Sequence, residues 1–192
     1  MPPKVKVTKE NLVRTAVELV RESGADAINA RSVATALGCS TQPVFSNFAT
    51  MDELRLAVLD AAYELYLGFI KREVEEGKYP PYKAYGMAYV RFAAEERELF
   101  KLLFMRDRSE EDILPSPDSE ASEQMIMQAN GVTQETARLI HLEMWTFVHG
   151  IGTMLATSFC TLDRELISDM ISDVYHGLRA RHVTEGNEHE RH

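Results

Sequence analysis

Residues 41–48, TQPVFSNF, place several side chains that can hydrogen-bond to DNA bases on a segment without charged residues. Amide side chains such as Gln and Asn can pair with two edge atoms of adenine, and Thr offers a hydroxyl or a methyl group. Val44 and Phe48 are spaced i, i+4, so we expect both to pack inward. This leaves on the other side Thr41, Gln42, Phe45, Ser46 and Asn47.

A short helix over 41–48 would position these side chains. Pro43 would lie in its first turn, where a backbone N–H has no partner within the helix, so the proline costs little there. Ser40 is the expected N-cap. A preceding helix over 30–37 ends at Gly38, and two short helices joined by a glycine turn are typical of a helix-turn-helix. The same arrangement is also common in α-bundles that bind no DNA.

The pattern along the rest of the chain predicts an all-α protein. Apolar residues recur at helical spacing, and capping residues precede most of the predicted helices. The predicted helices are 8–23, 30–37, 41–48, 51–76, 82–95, 97–105, 119–129, 134–158 and 163–182. We expect a DNA-binding domain over 1–50, a helical body over 51–183 and a flexible tail over 184–192.

The charge distribution separates the head from the body. The net charge is −9, yet residues 1–56 carry seven basic and six acidic side chains, against 14 and 24 in residues 57–192. An acidic body would be repelled by DNA phosphates and would favour contact through the head, although acidity also serves solubility alone. Two distant cysteines, Cys39 and Cys160, favour a reducing cytoplasm. No apolar run reaches the length of a membrane span, so we expect no membrane partner.

Residue patterns for catalysis or metal binding are weak. Asp173 and His176, spaced i, i+3, could form half of a metal site in a helical bundle, but such a site needs a second matching motif and the sequence has none. The motifs GxSxG, HExxH and GxxxxGK[ST] do not occur. We therefore expect no catalytic residues, no metal and no cofactor.

Residues 12–62 resemble the DNA-binding domain of the TetR family of transcriptional regulators. The resemblance rests on an apolar first helix, an Ala-x-x-x-Gly turn, a serine, an aromatic–x–x–Phe and an acidic pair before leucine. In this chain those positions are Ala34, Gly38, Ser40, Phe45, Phe48, Asp52, Glu53 and Leu54. The segment WTFVHGIGTMLA, residues 145–156, is similar to a helix of the family's C-terminal domain.

The resemblance implies an all-α homodimer that binds a pseudo-palindromic operator and is released by a small-molecule effector, most often as a repressor. Two positions depart from the family pattern: Phe45 replaces a phosphate-contacting Tyr, and Met51 replaces a phosphate-contacting Lys. Because phosphate contacts supply most of the salt-dependent affinity, we expect weaker binding. The expected DNA-contacting residues are Lys6, Arg31, Ser32, Ser40, Thr41, Gln42, Pro43, Phe45, Ser46, Asn47 and Met51.

The body is expected to hold the effector pocket and the dimer interface. An aromatic and methionine lining predicts an apolar or planar ligand. The candidate pocket residues are Tyr85, Tyr89, Phe92, Phe104, Met125, His141, Trp145 and His149. The candidate dimer-interface residues are Met144, Phe147, Ile151, Met154, Met170, Val174 and Leu178. Either set is also consistent with an ordinary monomer core.

Two other function classes stay open at this point. One is a helical interaction protein of the same fold with weak or lost DNA binding, as Phe45 and Met51 would favour. The other is a helical-bundle enzyme, which would need converging acid, base or metal-binding residues that the sequence does not supply. Specific, salt-sensitive binding to a palindrome separates the regulator from the first of these alternatives.

Overall fold

The computed structural model describes residues 7–107 and 117–189, and all regular structure in these ranges is helical. The α-helices are α1 Lys9–Ser23, α2 Ala30–Ala36, α3 Gln42–Asn47, α4 Met51–Glu76, α5 Pro81–Glu95, α6 Arg97–Phe104, α7 Pro117–Asn130, α8 Gln134–Ala156 and α9 Arg164–His189. The all-α prediction is confirmed. The last helix continues to His189, past the predicted end near residue 182, because the single Gly186 costs a helix only about 1 kcal/mol and does not end it.

Threonine caps begin three of the helices, as the sequence predicts. The hydroxyl of Thr8 accepts the Asn11 N–H at 3.2 Å, and the Asn11 side chain accepts the Thr8 N–H in return. The hydroxyls of Thr50 and Thr133 accept the N–H groups three residues later, at 3.1 and 3.2 Å. These bonds satisfy donors that the first helical turn leaves unpaired.

The chain divides into two compact units. One comprises Met1–Gly68 and Glu95–Arg106, and the other comprises Phe69–Ala94 and Asp107–His192. The compact units divide within α4 and near the end of α5, so the predicted functional boundary at residue 50 stays a prediction. No described helix combines the length and the hydropathy that crossing a membrane requires.

The first unit is built around α1, which packs against α2 and α6. The guanidinium of Arg21 donates two hydrogen bonds to the Glu96 carboxylate, at 2.7 and 2.8 Å, and so ties the end of α1 to the start of α6. The apolar core of this unit is fully buried and includes Leu12, Val20, Val33, Val44, Phe48 and Leu54. This core fixes which sides of α2 and α3 face inward.

The second unit contains a buried carboxylate at the end of α4. The Glu73 side chain is 0% exposed and accepts two hydrogen bonds from Arg164, at 2.7 and 2.8 Å. Arg91 donates a third at 3.2 Å. These bonds connect α4, α5 and α9. They also allow the carboxylate to be buried, because a charge removed from water is tolerated only where it is paired and hydrogen-bonded. The α8 helix packs against α7 and α9.

Replacing Glu73 with Gln should lower the free energy of unfolding by about 2 kcal/mol, because the two arginines lose the buried anion that they share and keep only the half-exposed Glu76, at 3.4 and 3.7 Å. The loss stays below that of a fully buried pair since both arginines are partly exposed. Urea unfolding of the purified protein measures it. Glu75→Gln, at an exposed position on the same helix, is the matched control and should change stability by under about 0.5 kcal/mol. Equal stability of the two variants would contradict this account of Glu73.

Candidate functional sites

The turn between α2 and α3 is held by backbone geometry. Gly38 has φ +62°, in the left-handed region that glycine adopts without strain. The Gly38 N–H donates to the Thr35 carbonyl at 3.0 Å, and the Cys39 N–H donates to the Ala34 carbonyl at 2.9 Å. This pair of bonds is a Schellman motif, which ends α2 and turns the chain into α3.

The α3 helix begins one residue later than predicted. Thr41 occupies the N-cap position and makes no side-chain capping bond, so the prediction that Ser40 caps this helix is wrong. The prolyl ring of Pro43 provides the rigid first turn instead, as expected. Val44 and Phe48 are buried, which confirms the predicted inward side of the helix.

The outer side of α3 presents Gln42, Phe45 and Ser46 to solvent. The Ser46 hydroxyl donates to the Gln42 carbonyl at 2.9 Å, and the Asn47 amide donates to the Pro43 carbonyl at 2.8 Å. Ser46 and Asn47 thus each donate one hydrogen bond to a backbone carbonyl of their own helix, whereas the Gln42 side chain is exposed. Gln42 is therefore the polar group on this face best placed to hydrogen-bond with a base.

The other predicted DNA-contacting residues differ in how exposed they are. Arg31 and Ser40 are exposed, and Met51, the first residue of α4, is half-buried. The Ser32 hydroxyl accepts the Asn29 N–H at 3.2 Å within the capping box of α2, so its role is at least partly structural. Lys6 lies outside the described residues.

Two tyrosine–histidine pairs connect α5 to α8 in the second unit. The Tyr89 hydroxyl lies 2.8 Å from Nδ1 of His149, and the Tyr82 hydroxyl lies 3.1 Å from Nδ1 of His141. The Trp145 ring stacks on His149 with centroids 5.1 Å apart and an angle of 14° between the ring planes. We call these five residues, Tyr82, Tyr89, His141, Trp145 and His149, the tyrosine–histidine cluster.

Burial sets the protonation of this cluster. Burial raises the pKa of both Tyr82 and Tyr89, so both hydroxyls stay protonated at neutral pH. Burial lowers the pKa of His149, which favours its neutral form. The Tyr89 hydroxyl can then donate to the unprotonated Nδ1 of His149. Tyr82, Tyr89 and His149 thus combine aromatic surface with neutral hydrogen-bonding groups.

The structure brings together only part of the predicted pocket. Tyr89, His141, Trp145 and His149 belong to the cluster, and Tyr85 and Met125 are half-buried in the same unit. Phe92 is fully buried and its ring packs on Phe69 at 5.3 Å, as a core residue does. Phe104 belongs to the first unit, where its ring contacts Tyr66 at 5.4 Å.

Tyr82 is a cluster member that the sequence-based list of pocket residues missed. Its signal was available, because Tyr82 and Tyr89 are separated by seven residues, or about two helical turns, and His141 and His149 by eight. Two pairs at similar intervals on two helices are consistent with paired contacts.

Two predicted dimer-interface residues lie in the core of a single chain. Met144 is 3% exposed and Ile151 is 1% exposed, so neither has surface to offer a second subunit. Of the predicted residues on α8, these two face their own unit. The exposed apolar side chains lie elsewhere on α8 and nearby, at Leu139, Leu142, Trp145, Phe159 and Leu166. The other five predicted residues, Phe147, Met154, Met170, Val174 and Leu178, are half-buried.

The depressed pKa of His149 has a consequence for stability. Below about pH 6.5 the unfolded chain binds a proton at this residue that the folded chain resists, so stability falls as the pH drops from about 7 to 5. His149→Gln should show a smaller loss of unfolding free energy than the wild type when urea unfolding is measured at both pH values. His176→Gln, at an exposed position on α9, serves as the control. An unchanged pH dependence in His149→Gln would overturn this interpretation.

Comparison with known proteins agrees with the observed fold. Residues 82–173 match the family described as the tetracyclin repressor-like C-terminal domain. No curated protein sequence matches the chain at a significant level.

Three examples illustrate the solved structures that are similar to the chain. A TetR-like transcriptional regulator from Rhodococcus sp. RHA1 has a TM-score of 0.67 at 13% identity, covering 91% of this chain and 96% of that one. The fatty acid degradation regulator FadR from Bacillus halodurans has a TM-score of 0.63 at 14% identity, covering 92% and 97%. The multidrug binding protein EbrR, complexed with imidazole, has a TM-score of 0.59 at 16% identity, covering 86% and 88%. The chain thus shares its fold with these structures, and its residues 82–173 resemble a tetracyclin repressor-like C-terminal domain.

Proposed function

We propose that the chain is a cytoplasmic DNA-binding transcriptional regulator, and specifically a repressor without enzymatic activity. It binds a pseudo-palindromic operator as a homodimer and is released by a small, largely apolar or aromatic effector. The observation that carries the proposal is the outer side of α3. A glycine turn presents Gln42 and Phe45 to solvent on a helix whose other side is fixed by the core.

This geometry fits the way in which helix-turn-helix proteins read DNA. The second helix of the motif enters the major groove, and residues near its N-terminus contact base edges. Gln42 is the first residue of α3, and Arg31 lies exposed in the first turn of α2, where it can contact phosphate. In a dimer, two such helices about 34–36 Å apart would read the two halves of a palindrome.

The second unit supports the effector and dimer parts of the proposal. The tyrosine–histidine cluster offers aromatic surface with a few polar groups, which is the usual composition of a small-molecule site. One structural relative is described as a multidrug binding protein complexed with imidazole. For the dimer, we propose the exposed apolar side chains Leu139, Leu142 and Leu166 in place of Met144 and Ile151, since burying exposed apolar side chains favours association.

A second candidate function is a helical interaction protein of the same fold. Phe45 is exposed, Met51 offers no charge, and Asn47 donates to its own helix. These three observations reduce the number of contacts to phosphates and bases. This candidate predicts that the dimer shows no sequence preference and only a shallow dependence of DNA binding on salt.

Gln42→Ala should change the sequence that the protein selects from a pool of random duplexes at low salt. The wild type should enrich a palindrome, and the variant should lose preference at about one base pair in each half-site, since a bidentate amide contact discriminates by about 1–3 kcal/mol. Glu22→Ala, an exposed position at the end of α1, is the control and should select the wild-type palindrome. If Gln42→Ala selects the same palindrome with unchanged preference at every base pair, Gln42 does not contact a base as proposed.

Met51→Lys should strengthen operator binding by restoring one phosphate contact in each subunit. The plot of log affinity against log salt should steepen by about 2 for the dimer, because each contact contributes roughly 0.9. Fluorescence anisotropy titrations at several salt concentrations measure the slope. Gln124→Lys adds the same charge at an exposed position of α7, in the second unit. An equal effect of the two substitutions would show that net charge, and not a contact at residue 51, is responsible.

A further inference from the structure

Phe45 is the largest side chain on the outer side of α3 and is 56% exposed. It shares this side with Gln42 and Ser46, at i−3 and i+1. The core positions of the helix are already filled by Val44 and Phe48. The Phe45 ring therefore has no core to join and faces the same space as the proposed base-reading amide.

The chemistry of a phenyl ring limits what it can contact in the major groove. It has no donor or acceptor, so it can neither hydrogen-bond to a phosphate nor pair with a polar base edge. The one apolar group that base pairs present in the major groove is the C5-methyl of thymine. A ring held at the groove by α3 thus distinguishes thymine from the other three bases.

The neighbouring polar groups strengthen this assignment. The Ser46 hydroxyl donates to the Gln42 carbonyl, and the Asn47 amide donates to the Pro43 carbonyl. Ser46 keeps its acceptor capacity and Asn47 keeps a second N–H and its carbonyl oxygen, but Gln42 is the exposed amide on this side, so we assign the base hydrogen bond to it. The other large contact that the same side can make is the apolar one at Phe45.

We propose that Phe45 is a specificity-determining residue that recognises thymine through its 5-methyl group in each operator half-site. The inference rests on the proposed regulatory function. Gln42 and Phe45 are three residues apart, or about 4.5 Å along the helix axis. Since base pairs are about 3.4 Å apart, the thymine lies within roughly two base pairs of the one read by Gln42.

The test removes single methyl groups from the DNA. In the palindrome selected by the wild-type protein, each thymine is replaced in turn, in both half-sites, by deoxyuridine, which keeps base pairing and lacks only the methyl. For the wild type, one position should weaken binding by about fourfold per half-site, or roughly 10- to 20-fold for both, as loss of one buried methyl implies. In Phe45→Ala this penalty should vanish while the other positions behave as in the wild type.

Glu22→Ala is again the control, since it changes an exposed residue at the end of α1, outside the proposed base-reading side, and should keep the wild-type uracil profile. Circular dichroism tests whether Phe45→Ala is folded, as we expect because residue 45 is exposed. A selected palindrome with no methyl-sensitive thymine, or a penalty that persists in Phe45→Ala, overturns the inference alone. If a folded dimer selects no sequence at all, the proposed regulatory function fails and the inference fails with it. That result would favour the interaction-protein candidate, which predicts no sequence preference.

Discussion

Gly38 fixes the direction in which α3 leaves α2, and the positions of all side chains on α3 depend on it. Its φ of +62° closes two hydrogen bonds back to Ala34 and Thr35, so the turn is set by the backbone and not by side-chain contacts. No side chain lies within 4 Å of a Cβ placed there. Glycine is therefore required for its conformation and not for space. With the turn fixed, burial of Val44 and Phe48 determines which side of α3 faces outward.

Hydrogen-bonded ion pairs join different helices in the two units. In the first unit, the bidentate bond between Arg21 and Glu96 holds α1 to the start of α6. In the second, buried Glu73 fixes the end of α4 to α5 and α9 through two arginines. The α4 helix belongs to both units along its length.

Sequence patterns predicted the helices well because their ends are set locally. Thr8, Thr50 and Thr133 cap helices through bonds that span only three residues, and Gly38 needs only its own neighbours. For the same reason, the inward side of α3 followed from the spacing of Val44 and Phe48.

The contacts that the sequence did not predict depend on tertiary packing. The α8 helix has apolar residues on more than one side, so periodicity alone did not show that Met144 and Ile151 face their own core and that Leu139 and Leu142 face solvent. Phe104 was predicted to lie with the pocket residues but packs in the other unit. The use of Asn47 as an internal donor likewise depends on a rotamer, which a residue type does not specify.

The central claim is that α3, and not the exposed apolar side of α8, meets DNA. Hydrogen–deuterium exchange of the full chain, with and without a random-sequence duplex at low salt, tests it most directly, because exchange reports local protection of backbone amides. The account predicts that DNA slows exchange in residues 38–47 and leaves residues 139–145 unchanged. Protection confined to residues 139–145, with 38–47 exchanging as in the free protein, would contradict it.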